Sequence, residues 1–557
     1  MSAPTYCGSV DRFRSFAAQN PDRAAVTFAE GTQPNGLPTY ADVTFRELDE
    51  WSDALAQQFS DDGMGSGTRT IVLVTPGPEL YAILFGLFKL GAVPVVIDPG
   101  MGLRPMLRCL SAVEPQAFVG IPQAHAVRVL FRRTFRGVRT KVTVGRRWFW
   151  GGHTLAEWSR VPDDRPMPDV AAPDDRLLMI AFTTGSTGPA KAVELSHGNL
   201  AAMIEQMEML SARLTPEASL VTLPMFGVLD LFLGSRVVLP PLIPSKVGAT
   251  DPAHVVDAID RFGVHTMFGS PAVLAPLLDH AREQSVTMSS VQAIFSGGAP
   301  VPDHVITGLR EVLSDTAEVH AGYGATEAIP MSSIESRELL GDGPENSLIE
   351  RSRTGDGTCI GRPAPLIEAR IVAITDDAIP TWSDAVVLEE GIGEIVVTGP
   401  NVSAGYYWPE KANADGKIRD GERTWHRTGD LGWIDAQGRI WFCGRKSHRV
   451  ETLAGTLFSV QVEQIFNAVD GVARTALVGV GGKGAQRPVL CVEPRSGADA
   501  PAVAAALRDR GREFALTAPI DTFLFHPSFP VDIRHNAKIG REKLAVWAAK
   551  RTGEVSR

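Results

Sequence analysis

This sequence of 557 residues contains few cysteines and no evident secretory signal. Its five cysteines occur in no CxxC motif and in no Cys/His spacing typical of zinc sites, which excludes a disulfide scaffold and favours free thiols in a reducing compartment. The first residues include no apolar core of the kind that a secretory signal needs. The most apolar stretch, 71–97, is interrupted by prolines and charges too often for a membrane span. We therefore expect a cytoplasmic protein without a membrane span.

A basic excess is also missing, since the formal net charge is −10. Nucleic-acid binders usually carry a positive footprint, so the charge balance argues against that class of partner. One local exception is the basic run 132–141 (RRTFRGVRTK), which is followed by Arg146 and Arg147. A solvated surface segment is the favoured interpretation of this run, and a phosphate-binding or partner-binding patch is the alternative.

The composition is that of a large folded protein, with 44% hydrophobic and 21% charged residues. These values exclude intrinsic disorder, and the length predicts two or more domains. Strand-like and helix-like segments alternate over most of the chain, as in the apolar strand 177–182 and the helical segment 199–209 that follows it. Such alternation predicts parallel sheets covered by helices. The predicted fold class is therefore α/β, with layered parallel sheets in a large N-terminal domain.

The pattern of predicted strands and helices changes towards the C-terminus. Strand-like segments between 392 and 442 predict a β-rich subdomain, and the segment after it alternates strands and helices in an α+β pattern. We place the domain boundary at Lys446, which divides the chain into a large domain at 1–446 and a small domain at 447–557. The polar stretch 335–357 is predicted to be a long mobile loop.

The strongest chemical signal follows the predicted strand that ends at Phe182. There the chain runs into hydroxyl groups, glycines and one lysine, a combination suited to phosphate. Glycines let backbone N–H groups approach phosphate oxygens, and a lysine adds a point charge. The spacing is not that of a Walker A loop, and a glycine-rich surface turn is the alternative. The candidate phosphate-binding residues are Thr183, Thr184, Gly185, Ser186, Thr187, Gly188 and Lys191.

Three further motifs are ambiguous when each is taken alone. The segment 323–327 (YGATE) combines an aromatic ring that can stack with a threonine and a carboxylate, although a plain loop has the same composition. The segment 427–432 (RTGDLG) places Asp430 at a turn, where it suits a ribose diol or serves only the turn. The segment 530–539 (PVDIRHNAKI) carries Lys538, which by itself would be a solvated lysine before a helix.

The order and separation of these four motifs resemble those of the adenylate-forming superfamily, which includes acyl-CoA synthetases, luciferase-like enzymes and peptide-synthetase adenylation domains. The resemblance covers 40–544 and implies ATP and Mg²⁺ as cofactors. It implies that the loop 183–191 clamps the β- and γ-phosphates of ATP, and that Glu327 and Thr183 hold Mg²⁺. It also implies that the C-terminal domain is a mobile lid. Its Lys538 would bridge the carboxylate and the α-phosphate, where charge develops during adenylation.

The remaining site residues follow from the same resemblance. Tyr323 would stack on adenine, Thr326 would contact the α-phosphate, and Asp430 would bind the ribose hydroxyls with support from Arg445. The catalytic residues implied are Lys538, Glu327, Thr326 and Lys191. The residues implied to lie along the nucleotide are Gly298, Ala299, Pro300, Gly322, Tyr323, Gly324, Asp430 and Arg445.

Three departures from the common family pattern narrow the interpretation. The hinge carries Ser447 where the family often has Asp and Glu451 where it often has Lys, which puts the usual domain rotation in doubt, and Ala537 replaces the glycine before the lysine. The substrate segment lacks the usual histidine and is apolar, which suits an alkyl pocket, with core packing as the alternative. The substrate residues predicted are Phe226, Val228, Asp230 and His197. His197 and His448 are also candidates for a base, and a structural role is the favoured alternative for each.

The runs VDIRHNAKIGREKLAVWA, GRKSHRVET and VVIDPGMG resemble one branch in particular, the β-lactone synthetases of bacterial long-chain olefin biosynthesis and their β-lactone natural-product relatives. That resemblance implies ATP-dependent adenylation of a 2-alkyl-3-hydroxy fatty acid. The acid's own β-hydroxyl then attacks the activated carbonyl to give a β-lactone, AMP and pyrophosphate. It also implies a thiolase-like enzyme, a reductase and an α/β-hydrolase as pathway partners. The alternatives are a long-chain acyl-CoA or acyl-carrier ligase that forms a thioester, and a catalytically silent nucleotide-binding subunit.

Overall fold

The computed structural model describes residues 8–158, 160–164, 174–183, 189–210, 217–531 and 539–553. The strands of these residues are β1 (Ala24–Thr32), β2 (Pro38–Thr44), β3 (Arg69–Leu73), β4 (Val93–Val96), β5 (Ala117–Gly120), β6 (Thr140–Thr143), β7 (His153–Thr154), β8 (Leu177–Phe182), β9 (Ala192–Ser196), β10 (Ala218–Val221), β11 (Arg236–Leu239), β12 (Thr266–Phe268), β13 (Ala293–Ser296), β14 (Glu318–Ala325), β15 (Ala328–Glu335), β16 (Thr358–Cys359), β17 (Arg362–Pro363), β18 (Glu368–Val372), β19 (Gly393–Thr398), β20 (Tyr406–Trp408), β21 (Lys417–Asp420), β22 (Arg423–Ile434), β23 (Ile440–Arg445), β24 (Val450–Thr452), β25 (Gly455–Leu457), β26 (Val472–Val480), β27 (Arg487–Pro494) and β28 (Thr522–Phe525). The α-helices are α1 (Ser9–Gln19), α2 (Phe45–Asp61), α3 (Pro78–Leu90), α4 (Leu103–Ala112), α5 (Pro122–Leu130), α6 (His197–Leu210), α7 (Phe226–Phe232), α8 (Pro252–Phe262), α9 (Pro271–Glu283), α10 (Asp303–Val312), α11 (Ser336–Leu340), α12 (Leu348–Arg351), α13 (Lys411–Gly416), α14 (Ser459–Asn467), α15 (Ala500–Arg512) and α16 (Arg541–Arg551). None of the helices in the described residues is long and apolar enough to cross a membrane.

Two large sheets whose inner strands run parallel form the centre of the molecule. One has the strand order β17-β15-β14-β13-β12-β10-β11-β1-β2 and the other β20-β9-β8-β4-β3-β5-β6-β7, and the antiparallel pairs stand at the ends of these orders. Inner strands such as β5 are buried along their whole length, because a parallel strand covered on both faces has no solvent side. This architecture confirms the predicted α/β class with layered parallel sheets.

Local sequence explains where the covering helices begin and end. The N–H of Glu47 donates to Thr44 Oγ1, and the N–H of Thr44 donates to the Glu47 carboxylate at 2.8 Å, so a capping box starts α2. Gly91 adopts the left-handed conformation, with φ 67°, and ends α3. Between these ends, Leu55 of α2 and Phe85 of α3 belong to one buried core.

A β-rich subdomain follows, as predicted. The strands β16, β23, β22, β19 and β18 form a third sheet in that order, and β21 pairs with β22 as its sixth strand. Trp433 of β22 stands opposite Trp441 of β23, and their rings stack with centroids 5.6 Å apart. The same register pairs Asp430 with Arg445, so the hairpin sets two of the predicted site residues side by side.

The strands after Lys446 pair only with one another in the part of the chain that the structure describes. β24 pairs with β25, and β26, β27 and β28 form a three-stranded sheet. Side chains of α14 reach back to the larger body: the Gln461 amide donates to Gly355 O at 2.8 Å, and the Gln464 amide to Thr358 Oγ1 at 2.9 Å. The domain boundary at Lys446 stays a prediction.

The prediction of a long mobile loop at 335–357 is wrong. The segment contains α11 and α12, and Leu339, Leu348 and Ile349 are buried in one hydrophobic cluster with Trp441. These helices are too short to show a helical period in the sequence, and burial against β23 stabilises them.

Candidate active site

A cavity of about 660 Å³ lies where strands of both large sheets end at their carboxyl side. Thr183 follows β8, Gly297 and Gly298 follow β13, and Tyr323 lies near the end of β14. In open α/β sheets, the crevice outside the carboxyl ends of the strands is where ligands bind. The fold therefore brings together motifs that are far apart in the sequence.

Most of the predicted site residues line this cavity. They are Thr183, Lys191, Phe226, Asp230, Gly298, Gly322, Tyr323, Gly324, Thr326, Glu327, Asp430 and Arg445. Four predicted residues do not line it: Val228, His197, Ala299 and Pro300. Val228, a residue of α7, is buried in the hydrophobic core, and His197 is buried at the start of α6. The predicted Thr184, Gly185, Ser186, Thr187, Gly188 and Lys538 lie outside the described residues.

Two hydrogen bonds join the ends of the predicted phosphate loop. The N–H of Thr183 donates to Lys191 O at 2.9 Å, and the N–H of Lys191 donates to Thr183 Oγ1 at 3.0 Å. The Lys191 ammonium lies 4.9 Å from the centre of the Tyr406 ring, where the face of an aromatic ring attracts a cation. These contacts fix one hydroxyl oxygen and one positive charge at the cavity wall.

Glu327 is a buried carboxylate in the same wall, with 6% of its surface exposed. Its Oε1 accepts a hydrogen bond from the Tyr406 hydroxyl at 2.7 Å. Burial acts to raise the pKa of Glu327, but His426, the Tyr406 hydroxyl and Lys417 outweigh burial and hold the pKa below its ordinary value. Glu327 is therefore ionised at neutral pH although little water reaches it.

No sequence motif indicates Lys417, the first residue of β21. Its buried ammonium donates to Ser403 O and, at 3.0 Å, to Ser403 Oγ, and it lies 5.3 Å from the centre of the Tyr406 ring. Burial lowers the pKa of Lys417 to about 7, with Glu327 opposing the shift and Lys191 adding to it. Two lysines and one carboxylate thus surround Tyr406, and Lys191 comes close to this group because β20 pairs with the distant β9.

His426, on β22, is a further cavity residue that the sequence does not reveal. Its Nδ1 lies 3.2 Å from Gly416 O. Burial lowers the pKa of His426 to about 3, and the neighbouring Lys417 acts in the same direction. The imidazole is therefore neutral at pH 7, and its positive charge acts on the pKa of Glu327 only at the acid pH where His426 is protonated.

We expect His426 to make the folded protein sensitive to acid. The unfolded chain takes up a proton here near pH 6.5 and the folded chain only near pH 3, so the free energy of unfolding falls as pH decreases through this window. Between pH 6.5 and about pH 5, the loss from this residue is about 2 kcal/mol. Urea unfolding of a His426→Gln variant should show a pH-dependent loss smaller by that amount. The same substitution at the exposed His304 is the control, and an unchanged pH dependence in His426→Gln would contradict the assignment.

The predicted ribose site lies on the β22–β23 hairpin. The Tyr323 hydroxyl donates to Asp430 Oδ2 at 2.6 Å, and Arg445 Nε lies 2.8 Å from Asp430 Oδ1. Burial and then Asp430 raise the pKa of Tyr323, and Asp430 raises the pKa of Arg445. A neutral phenol and a cation thus hold the Asp430 carboxylate in a fixed orientation.

The oxygen donors at this site fit a divalent cation that is shared with phosphate. Glu327 supplies an ionised carboxylate and Thr183 a hydroxyl, and both line the cavity. The described residues contain no group of three or more His, Cys, Asp or Glu side chains arranged for a metal ion. Magnesium commonly takes one or two carboxylates and completes its shell with water and phosphate. The residues present therefore fit Mg²⁺ that arrives with a nucleotide.

The other half of the cavity is apolar. Phe226 of α7 stacks on Phe268 of β12 with the ring centroids 3.8 Å apart, and Leu229 lines the same side. Asp230 lies in this lining, where burial raises its pKa to about 7 and a hydrogen bond from Ser219 opposes the shift. An apolar lining of this kind accepts an alkyl chain. Asp230 adds to the lining one carboxyl group that can be protonated near neutral pH.

Buried ion pairs connect the hinge to the larger body. Lys446 Nζ donates to Glu394 Oε2 and to Thr375 O, each at 3.0 Å. The Glu394 side chain is 1% exposed and also accepts from Arg427. Ser447, which replaces the common hinge aspartate, lines the cavity.

The two other hinge residues singled out in the sequence are not part of the cavity wall. Glu451 pairs with Arg449 at 2.8 Å, and His448 Nε2 lies 3.2 Å from Glu542 Oε1. Burial lowers the pKa of His448 to about 4. These contacts favour the structural role of His448 over a role as base.

The cavity at the strand ends of this layered α/β body has a polar half and an apolar half. Such a cavity is typical of nucleotide-dependent enzymes that act on an apolar substrate. Residues 13–407 match the model of the AMP-binding enzyme family, and the chain belongs to that family. The chain is similar to the olefin beta-lactone synthetases of Stenotrophomonas maltophilia (strain K279a), at 45% identity, and of Xanthomonas campestris pv. campestris, at 43% identity, each over 98% of both chains. A solved structure of O-succinylbenzoate coenzyme A synthetase from Bacillus subtilis, in complex with ATP and magnesium ion, has the same fold. Its TM-score is 0.72 at 20% identity, over 96% of this chain and 98% of that one.

Proposed function

We propose that this protein is a β-lactone synthetase. It activates a 2-alkyl-3-hydroxy fatty acid with ATP and closes the activated acid to a β-lactone, with release of AMP and pyrophosphate. The observation that carries the proposal is the shared cavity, in which Lys191, Glu327 and Asp430 adjoin an apolar lining around Phe226. The names and the high identity of the two bacterial relatives support it.

In the first step, a carboxylate oxygen of the acid attacks the α-phosphorus of ATP, and the bond to pyrophosphate breaks. Asp430 accepts hydrogen bonds from the ribose hydroxyls, and Lys191 binds the outer phosphates. Glu327 and Thr183 would hold Mg²⁺, which would supply positive charge to the leaving pyrophosphate. We assign Lys538 to the negative charge that develops at the α-phosphate.

In the second step, the β-hydroxyl oxygen attacks the acyl carbonyl, the bond between the carbonyl carbon and the phosphate oxygen breaks, and AMP leaves. The hydroxyl proton passes to an acceptor in the cavity. No external thiol is needed, because the nucleophile and the carbonyl belong to one molecule and are held close together. The apolar lining around Phe226 excludes water, which would otherwise hydrolyse the acyl adenylate.

We also propose that 447–557 acts as a lid on the body formed by 1–446. Support comes from β24 to β28, which pair only with one another within the described residues, and from Lys446, whose bonds to Glu394 secure the hinge. A lid of this kind would carry Lys538 to the nucleotide.

The chemistry of the proposed substrate and product indicates which reactions precede and follow this one. Its acid is the product of a condensation and a ketone reduction, which are the chemistries of thiolase-like enzymes and of reductases. Its strained lactone is a substrate for an α/β-hydrolase. We propose enzymes of these three kinds as pathway partners.

The proposal is tested by incubating the protein with ATP, Mg²⁺ and a synthetic 2-alkyl-3-hydroxy acid in the absence of coenzyme A. We expect AMP, pyrophosphate and a β-lactone, the last detected by infrared or NMR spectroscopy. The matched 2-alkyl acid without a β-hydroxyl should form the acyl adenylate and no lactone, and a Lys538→Ala variant should form neither. AMP release that depends on coenzyme A, or a thioester product, would identify an acyl ligase instead.

A further inference from the structure

A strongly basic surface segment lies outside the cavity and has no part in the proposed reaction. Between Glu114 and Glu157 the chain has eight Lys and Arg residues and no Asp or Glu, in a protein whose formal net charge is −10. Arg132, Arg133 and Arg136 are exposed in the loop 131–139, called here the basic loop. The local charge is thus opposite to that of the whole molecule.

Two aromatic side chains project from the loop that joins β6 to β7. Trp148 and Phe149 are 58% and 78% exposed, yet both lie against the buried Trp150, with ring centroids 5.3 and 5.6 Å away. Trp150 Nε1 donates to Thr143 Oγ1 at 3.0 Å, and its ring stacks on His125 of α5. The loop is therefore anchored in the core and presents its aromatic surface outwards.

Helix α5 connects this loop to the basic loop. The helix ends at Leu130, which is 75% exposed and stands directly before the basic loop. Phe135 of the basic loop is buried in a cluster with residues of α4, and Arg108 of α4 and Thr134 line one shallow cavity of about 430 Å³. The basic loop therefore precedes β6 and the loop with Trp148 and Phe149 follows it, so the two groups of side chains lie at the two ends of this four-residue strand near the edge of the eight-stranded sheet.

The charge of this edge is not neutralised within the described part of the chain. Arg147 pairs with Glu157 at 3.2 Å, whereas the exposed arginines form no ion pair among the described residues. We name the unneutralised group the basic–aromatic face; it consists of Arg132, Arg133, Arg136, Arg146, Trp148 and Phe149.

We propose that the basic–aromatic face docks the protein on the surface of an anionic lipid bilayer. Arginines are attracted to lipid phosphates, and Trp and Phe are stabilised at the boundary between head groups and hydrocarbon. The exposed aliphatic Leu130 favours lipid over nucleic acid, since bases stack on aromatic rings rather than on alkyl groups. A bilayer is also where a long-chain acid would partition, although the docking surface does not depend on the proposed reaction.

Vesicle flotation of the full chain tests this proposal. Vesicles of phosphatidylglycerol with phosphatidylcholine are compared with vesicles of phosphatidylcholine alone. We expect binding to the anionic vesicles only, with release at high salt. The variants Arg132→Glu/Arg133→Glu/Arg136→Glu and Trp148→Ser/Phe149→Ser should each weaken binding about tenfold or more.

The variant Leu453→Ser/Arg512→Glu is the control, because it changes an exposed leucine and an exposed arginine elsewhere. It should bind vesicles as the unchanged protein does. ATP–pyrophosphate exchange with a water-soluble acid should be the same in all variants, which separates docking from the proposed function. Absence of vesicle binding, equal loss in the control, or tighter binding to single-stranded RNA than to vesicles would overturn the proposal. Displacement by inorganic phosphate would do the same, because it would mark a simple anion site.

Discussion

Substitution of Glu327 by glutamine is expected to slow acyl-adenylate formation by about two to three orders of magnitude. We assign this carboxylate to Mg²⁺, and it is ionised although only 6% of its surface is exposed. Glutamine has the same size and still accepts the Tyr406 hydrogen bond, so the change removes charge and little else. ATP–pyrophosphate exchange over a range of Mg²⁺ concentrations gives the rate, and the variant should need more Mg²⁺ for half-maximal exchange.

Tyr406→Phe is the matched control for this substitution. It removes the 2.7 Å hydrogen bond to Glu327 and leaves the carboxylate in place, so we expect a loss of about tenfold or less. Wild-type exchange by Glu327→Gln would contradict the metal assignment. An equal loss in both variants would assign the effect to the position of the side chain rather than to its charge.

Substitution of Arg427 by leucine is expected to lower the free energy of unfolding by about 3–5 kcal/mol. The guanidinium is 2% exposed and donates to Glu394 Oε2 at 3.0 Å, to Asp377 O at 2.7 Å and to Thr375 O at 2.8 Å. Without it, the buried Glu394 carboxylate keeps Lys446 as its cationic partner but loses two charge-assisted hydrogen bonds. Urea unfolding followed by circular dichroism measures the loss.

Arg423→Leu, on the same strand, is the matched control. The pair of Arg423 with Glu368 has a similar distance, 2.7 Å, but its side chains are 54% and 37% exposed, so its loss should cost less than about 1 kcal/mol. Arg427→Leu combined with Glu394→Leu should cost less than Arg427→Leu alone, because the double change leaves no buried carboxylate short of partners. Equal losses at Arg427 and Arg423 would show that burial does not strengthen the inner pair.

Much of the fold and part of the site could be predicted from the sequence, because the signals are local. The apolar run 177–182 is β8, and the hydroxyl-rich motif after it begins at Thr183, where a parallel strand ends. Successive strand ends of a parallel sheet open into one crevice, which is why motifs that follow such strands meet in this fold. Asp430 and Arg445 also meet, as the family resemblance implied, because the register of the β22–β23 hairpin pairs them.

The sequence by itself therefore determined the α/β class, which depends on periodicity, and indicated the family through the resemblance of four motifs and their order. Only the tertiary structure placed Tyr406, Lys417 and His426 around Glu327. Lys417 and His426 are paired in the β21–β22 hairpin, but Tyr406 lies on β20 and Glu327 lies between β14 and β15, so no local pattern links the whole cluster. The tertiary structure also buries Val228 in the hydrophobic core, whereas Phe226 and Asp230 of the same helix line the cavity. The pKa values of the cluster depend on how much water the packed neighbours exclude, and that quantity exists only once the chain has folded.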